Sequence, residues 1–383
     1  MTRTRRLISL LLPLAALGAI TVPALALSPP QAVVWGSWFS QATDYHDATP
    51  TDVNGIPGTV TAVATSNSDA YFLTSDGQVY ALGAGQNGEL GDGQLVDDWA
   101  GPPVQVKFPA GVTIAFLSQD AMPYDGAIAV DTTGTAWFWG NGTMTDCMRG
   151  TSPVATPVAV PLPDVTQVAA ASWHALYVSS GTLYSCGLYQ YGSTGTGKAG
   201  NCLPCKVTLP ADSAVTQVVA SCVDSGALLS TGAYYNWGSN GQDQLGDGSS
   251  GGQSAVPVQV SLPDAVTYVS QGGDNNHNGS TIVQLANGSW MTWGDDQSYE
   301  LGNGKTANEP NPIPITMPSG TTTAVEGGLD LYAMTSSGVY TVGAGTADQL
   351  GTGAKMAKAF VLSWSGTPAG ISSTANSVAV QVG

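Results

Sequence analysis

One short strand-like segment recurs seven times along the chain, and each copy ends in glycine. The copies are AVVWG at Gly36, QVYALG at Gly83, TAWFWG at Gly140, TLYSCG at Gly187, AYYNWG at Gly238, SWMTWG at Gly294 and GVYTVG at Gly343. Their intervals are 47, 57, 47, 51, 56 and 49 residues, and residues 27–383 divide into seven units of 51. A second marker, an apolar or small residue before proline with a strand soon after, keeps the same register at Pro57, Pro109, Pro163, Pro210, Pro263, Pro318 and Pro368. A third, the turn Leu-Gly-x-Gly, stands at 90–93, 245–248, 301–304 and 350–353, with a degenerate copy at 194–197. Markers sharing one long period signify stacked copies of a supersecondary unit that cannot bury its apolar face alone.

Within a unit the pattern is that of short strands. Around Gly187 the runs VTQVAAAS, HALYVSS, TLYSCG and KVTLP are alternating or β-branched and bounded by turn residues. Four strands in a unit of this size make one propeller blade. The expected fold is therefore all-β, a single seven-bladed β-propeller of four-stranded blades spanning 27–383. Composition agrees: 49 glycines and 23 prolines with only 10% charged residues exclude a coiled coil or charged helical bundle. The final residues NSVAVQVG match the middle of a unit such as SDAYFLTSDG at 68–77, and QAVVWG at 31–36 matches the next strand of such a unit. One blade is thus expected to hold strands from both ends, closing the ring and removing its open edges.

The segments DGQVYALGAGQNGELGDG (76–93), NWGSNGQDQLGDG (236–248) and TWGDDQSYELGNG (292–304) resemble the regulator of chromosome condensation repeat. The resemblance extends over essentially all of 27–383 and implies the same seven-bladed propeller. The first and third units depart from it in lacking Leu-Gly-x-Gly, and Cys186 stands where tryptophan is usual. The family takes its name from a nuclear, chromatin-bound exchange factor for a small GTPase. The chain is also similar to the secreted β-lactamase inhibitory propeller, which implies a mode of use, blocking a protein through loops on one face, rather than a shared target.

The first 26 residues point to export. Arg3, Arg5 and Arg6 precede an apolar run to Ala26 that ends in Ala24-Leu25-Ala26, the small-x-small pattern of a cleaved secretory signal. A retained membrane anchor is the rival reading, weakened by Pro13, Gly18 and Pro23. The expectation is a secreted protein, extracellular or periplasmic, with no membrane association after signal removal. The segment holds three of the ten basic residues and no acidic one, leaving 7 basic against 27 acidic and a net charge of −20. A surface of that sign repels nucleic acid. It suits a protein partner with a basic surface.

Chemistry-bearing motifs are sparse. His46, His174 and His277 show no zinc-site spacing, neither nucleophile elbow nor nucleotide fingerprint occurs, and the expectation is no metal and no cofactor. One polar column does follow the repeat: Asp69, Asp125, His174, Asp224, Asn278, Asp330 and Asn376, each just before a strand expected near the hub. These side chains either bond the local turn or, with Tyr124, Trp173, Asp274, His277 and Tyr332, form a binding face. Trp173 could equally pack between blades.

Cys147, Cys186, Cys202, Cys205 and Cys222 all fall in units three to five, and export favours disulfides that staple loops there. The odd count leaves at least one thiol unpaired, and connectivity is open. The Cys202–Cys205 pair reads as a structural bridge, because the βαβ context of a redox motif is missing. The functional expectation is a monomeric, non-catalytic binding module that recognises a protein partner through loops on one face. The alternative is a propeller enzyme, a polysaccharide lyase or hydrolase, using acids at the hub mouth.

Overall fold

The computed structural model describes residues 31–38, 45–66, 68–96, 101–118, 126–141, 147, 153–171, 173–189, 191–210, 213–274, 278–373 and 377–383. Among these residues the regular structure is all strand. β1 (Ala32–Trp38) and β2 (Tyr45–Val53) come first. Blade one is β3 (Val60–Thr65), β4 (Asp69–Thr74), β5 (Val79–Gly83) and β6 (Val104–Gln105). Blade two is β7 (Ile114–Leu117), β8 (Gly126–Asp131), β9 (Ala136–Gly140) and β10 (Val154–Ala159). Blade three is β11 (Val165–Ala170), β12 (His174–Ser179), β13 (Thr182–Gly187) and β14 (Cys202–Lys206). Blade four is β15 (Val215–Ala220), β16 (Asp224–Leu229), β17 (Tyr234–Ser239) and β18 (Gln253–Gln259). Blade five is β19 (Val266–Gly273), β20 (Gly279–Leu285), β21 (Trp290–Gly294) and β22 (Glu309–Ile315). Blade six is β23 (Thr321–Glu326), β24 (Asp330–Thr335), β25 (Gly338–Ala344) and β26 (Met356–Ser365). β27 (Pro368–Ser373) and β28 (Ser377–Val382) end the chain.

Each blade is one antiparallel sheet in chain order, and the seventh runs β27-β28-β1-β2. The ring therefore closes two strands against two. β1 and β28 pair from Ala32 opposite Gln381 to Gly36 opposite Ser377, as the matching of the chain ends predicts. The first strand of each blade lies innermost. Residues of β7, β11, β15, β19, β23 and β27 line a central channel of about 480 Å³.

The core is distributed over the seams between blades rather than held in one centre. Seven apolar clusters are present among the described residues, each joining two adjacent blades. The second strands carry this packing. β4, β8, β12, β16 and β24 are buried at every position, because both faces of a blade meet a neighbour. This explains why runs such as DAYFLT and HALYVS are apolar almost throughout instead of alternating.

The repeated glycine at the end of each third strand has a steric cause. Gly83, Gly187, Gly238 and Gly343 have φ between +118° and +136°. They lie opposite Asp69, His174, Asp224 and Asp330, and a Cβ there would collide with the backbone carbonyl just before the partner residue.

The Leu-Gly-x-Gly turn locks one blade to the next. Trp139, Trp237, Trp293 and Trp35, each preceding the repeated glycine of its blade, are fully buried. Their indole N–H groups donate across the seam to the carbonyls of Glu89 (2.9 Å), Ser193 (2.8 Å), Gln244 (2.9 Å) and Gln349 (2.6 Å) of the preceding blade. The turn glycines Gly91, Gly195, Gly246 and Gly351 have φ of +62° to +67° and lie against those indoles. The same turns reach the outer strand of the next blade, where the N–H groups of Gly93, Gly197 and Gly248 donate to Ala155, Ala255 and Pro310 carbonyls at 2.8–2.9 Å.

At the seam between blades two and three the lock is covalent. Cys186 occupies the tryptophan position, and Cys147, with φ of +58°, occupies that of the turn glycine; the two form a disulfide with Cα atoms 4.9 Å apart. A second disulfide joins Cys202 and Cys205 within β14. Of the open possibilities for pairing, this one leaves Cys222, buried in blade four, outside both disulfides.

Candidate functional site

In an antiparallel blade, the first-to-second and third-to-fourth connections leave on the same face. On this propeller the second-to-third connections are tight hairpins, such as residues 75–78, whereas third-to-fourth connections are long, such as 84–103 and 295–308. All long loops within blades thus share one face.

The polar column sits beneath that face and not on it. Asp69, His174, Asp224 and Asp330 open the second strands, one strand further from the hub than the sequence suggests, and all four have zero exposure. They meet their own turns. Ser66 and Ser68 hydroxyls donate to Asp69 Oδ2 at 2.8 Å, and Ser221 donates to Asp224 Oδ2 at 3.1 Å. His174 Nε2 is 2.6 Å from Ser225 Oγ in the neighbouring blade. Asp274 closes the corresponding turn of blade five, accepting the Asn278 N–H at 3.1 Å and its side-chain amide at 3.2 Å.

Tyr332 is fully buried too, its hydroxyl 2.7 Å from Asp330 Oδ2 and 2.9 Å from the Gln349 carbonyl. One phenolic proton can serve only one of these acceptors, whereas a protonated Asp330 allows both bonds. Side chains buried this deeply cannot touch a partner, so the expected binding face does not run through these residues. Trp173 is half-buried on the loop face. Asp125, Tyr124, His277, His46 as a side chain, Asn376 and the 1–26 segment lie outside the described residues.

Burial controls the protonation of this layer. Desolvation lifts Asp224 to about 8 and Asp296 to about 7, and raises Glu326 and Asp330 well above the carboxylate range. Glu326 also feels Glu300, Asp330 and Asp296. Desolvation lowers His174 to about 4. A carboxyl whose folded pKa is raised contributes stability that is full below its unfolded value near 4 and is lost as pH rises through the folded value. His174 acts oppositely, losing stability as pH falls from 6.5 to 4, but it is one group against the six raised carboxyls, Asp295 and Glu300 among them. The thermal midpoint is therefore expected to fall between pH 5 and pH 8. Asp224→Asn should raise the midpoint at pH 8 and leave it nearly unchanged near pH 4, which calorimetry across that range checks.

Sequence reasoning missed the apolar groups that the loop face does expose. Leu95 and Val96, on the long loop of blade one, are 52% and 61% exposed, and Tyr191 of blade three is 40% exposed. They stand outside the repeating columns, so no periodic signal marks them. Leu95 and Val96 are adjacent on one loop, and Tyr191 stands two blades away on the same face.

Known proteins share this repeat geometry. The model of the regulator of chromosome condensation (RCC1) repeat matches residues 76–117 and 231–276. These two segments are similar to the RCC1 repeat. The chain is 28% identical over 265 residues to the ultraviolet-B receptor UVR8 of Arabidopsis thaliana, covering 68% of this chain and 59% of the receptor. It is 29% identical over 197 residues to the human probable E3 ubiquitin-protein ligase HERC3, spanning 49% of this chain and only 18% of the ligase. In fold it is similar to Prp20p of Saccharomyces cerevisiae, with a TM-score of 0.78, 17% identity and coverage of 93% and 92% of the two chains. Human WBSCR16 gives a TM-score of 0.78 at 18% identity, with coverage of 92% and 98%. The Prp20p structure is described with its binding to Gsp1p and histones, and yeast RCC1 (Prp20) is also seen with Kap60 bound.

Proposed function

We propose that this RCC1-repeat propeller is a secreted, non-catalytic protein-binding module that meets its partner through the long loops of one face. The observation that carries the reading is the asymmetry of the ring: tight hairpins on one side, and on the other long loops that expose Leu95, Val96 and Tyr191. Binding residues concentrate on loops held by a rigid scaffold. The seam tryptophans and the turn acids supply that rigidity. Relatives that bind proteins, such as Prp20p with Gsp1p and histones, support the mode of use. The net charge of −20 over 27–383 favours a partner with a basic surface through faster encounter. The charged, apolar, small-residue order of 1–26 and the two disulfides support export.

One experiment addresses both parts. Expressed in full in an exporting host, the chain is recovered from the medium beginning at Leu27 and used as bait against culture supernatant. Capture is expected to weaken at least tenfold for a Leu95→Glu/Val96→Glu variant whose thermal midpoint is unchanged, because truncated apolar anchors cost about 2 kcal/mol or more. Retention inside the cell overturns the export reading. Capture indifferent to the loop variant overturns the face assignment.

A further inference from the structure

The outer strands of a propeller are open edges, and this chain blunts all but one of them with proline or brevity. β2, β10, β14, β18 and β22 each contain proline, and β6 is two residues long and directly follows Pro102-Pro103. Proline and brevity are established ways of blunting an edge, since an unpaired row of N–H and C=O groups otherwise recruits another strand. β26 has neither device. It is the longest strand at ten residues, MAKAFVLSWS, and its sole sheet neighbour is β25, against which Val361, Leu362, Trp364 and Ser365 are in register while residues 358–360 form a bulge. It also exposes apolar side chains, with Met356 at 48%, Val361 at 38% and Leu362 at 48%.

The charge of this edge is inverted relative to the chain. β26 contains no acidic residue and one lysine, Lys358, with Lys355 immediately before it. Lys358 Nζ lies 5.3 Å from the centre of the Tyr299 ring, a contact that holds the ammonium in place without neutralising it. Lys355 is paired with Asp348 at 2.8 Å. Pairing β26 with β26 of a second copy would bring like charges together between two strongly acidic molecules. An acidic strand from another protein meets complementary charge.

We propose that the open edge of β26 accepts an extended, acidic segment of a partner protein as a fifth strand of blade six, with carboxylates toward Lys358 and apolar residues beside Val361 and Leu362. Backbone pairing supplies the affinity of such strand addition, and side chains supply its selectivity. The site is on the rim, its Lys358 end beside the long loop of blade five that carries Tyr299, and it is argued from observations other than those that carry the function proposed above.

The test uses a labelled peptide alternating valine and glutamate, its lysine counterpart, and the intact chain. The acidic peptide is expected to bind about tenfold or more tightly than the basic one, a difference of about 1.4 kcal/mol or more. Its addition should slow amide exchange across residues 358–365. Leu362→Glu should weaken binding about tenfold with the thermal midpoint unchanged. Val256→Glu on β18, also exposed but beside Pro257, should leave binding intact. Equal binding of the two peptides, no binding, or no protection at 358–365 overturns the proposal. Concentration-dependent self-association that Leu362→Glu dissolves overturns it in favour of a second copy.

Discussion

A chain ending at residue 376 is expected to lose cooperative unfolding, or to melt more than about 10 °C below the full chain. The deletion removes β28, whose Val378, Ala379 and Val380 have no exposure; Val378 and Val380 pack with Trp35 and Tyr332 at the seam with blade six, and Ala379 packs with Val60 and Phe72 at the seam with blade one. Burial of large aliphatic side chains is worth about 1.5–3 kcal/mol each, so the packing loss alone is several kcal/mol. The ladders to both β1 and β27 also disappear, which leaves two strands from one end of the chain with no partner from the other. For a domain of this size, about 2–4 °C of midpoint accompanies each kcal/mol. Removing residues 198–201, exposed in the long loop of blade three, is the control and should cost at most a few degrees. Equal midpoints for the two deletions would show that ring closure is not what holds the fold.

How much of the fold was legible depends on where the repetition has a backbone cause. The repeated glycine is demanded in blade after blade because its Cβ would strike a carbonyl of the adjacent strand, so the column survives sequence drift and gives blade number and register. The two-against-two closure was legible for the same reason, since the chain ends complete one unit. The polar column was visible as a column but not as a buried one. An aspartate that bonds Ser66 and Ser68 and one that faces a partner carry the same letter, and only packing on both faces of the second strand distinguishes them.

The Cys147–Cys186 pairing left a trace that only alignment of the columns reveals. Five of the turn glycines, at 91, 195, 246, 302 and 351, stand eight residues after their blade glycine, and Cys147 stands seven after Gly140. Cys186 fills the tryptophan column. The two departures from the repeat are thus a single replacement of an indole–glycine lock by a disulfide. Leu95, Val96, Tyr191 and the β26 edge belong to no column, and periodicity could not find them.

The seam locks carry the other large expected effect. Trp293→Ala should destabilise the propeller by about 3–5 kcal/mol, the usual cost of emptying a fully buried tryptophan site. Trp293→Phe should cost much less, because the Gln244 carbonyl that accepts the indole also accepts the Asn236 amide at 2.8 Å and is not orphaned. The glycine on the other side of the lock should be nearly as sensitive. Gly246 has φ of +67°, and a Cβ there would lie 2.5 Å from Trp293 Nε1, so Gly246→Ala combines backbone strain with displacement of the ring. Because both changes damage one seam, the double variant should lose less than the sum of the singles. The disulfide seam gives the matching result by different chemistry. Its partners are 39 residues apart, and Cys147→Ser with Cys186→Ser should cost about 4 kcal/mol through the freed unfolded chain. Opening the Cys202–Cys205 bridge, whose loop is only three residues, should cost far less. Denaturant midpoints of the six variants, with hydrogen exchange to locate the weakened seam, check the set. If Trp293→Ala and Gly246→Ala proved additive and spread their exchange over all blades, the indole–glycine contact would not be the element that joins one blade to the next.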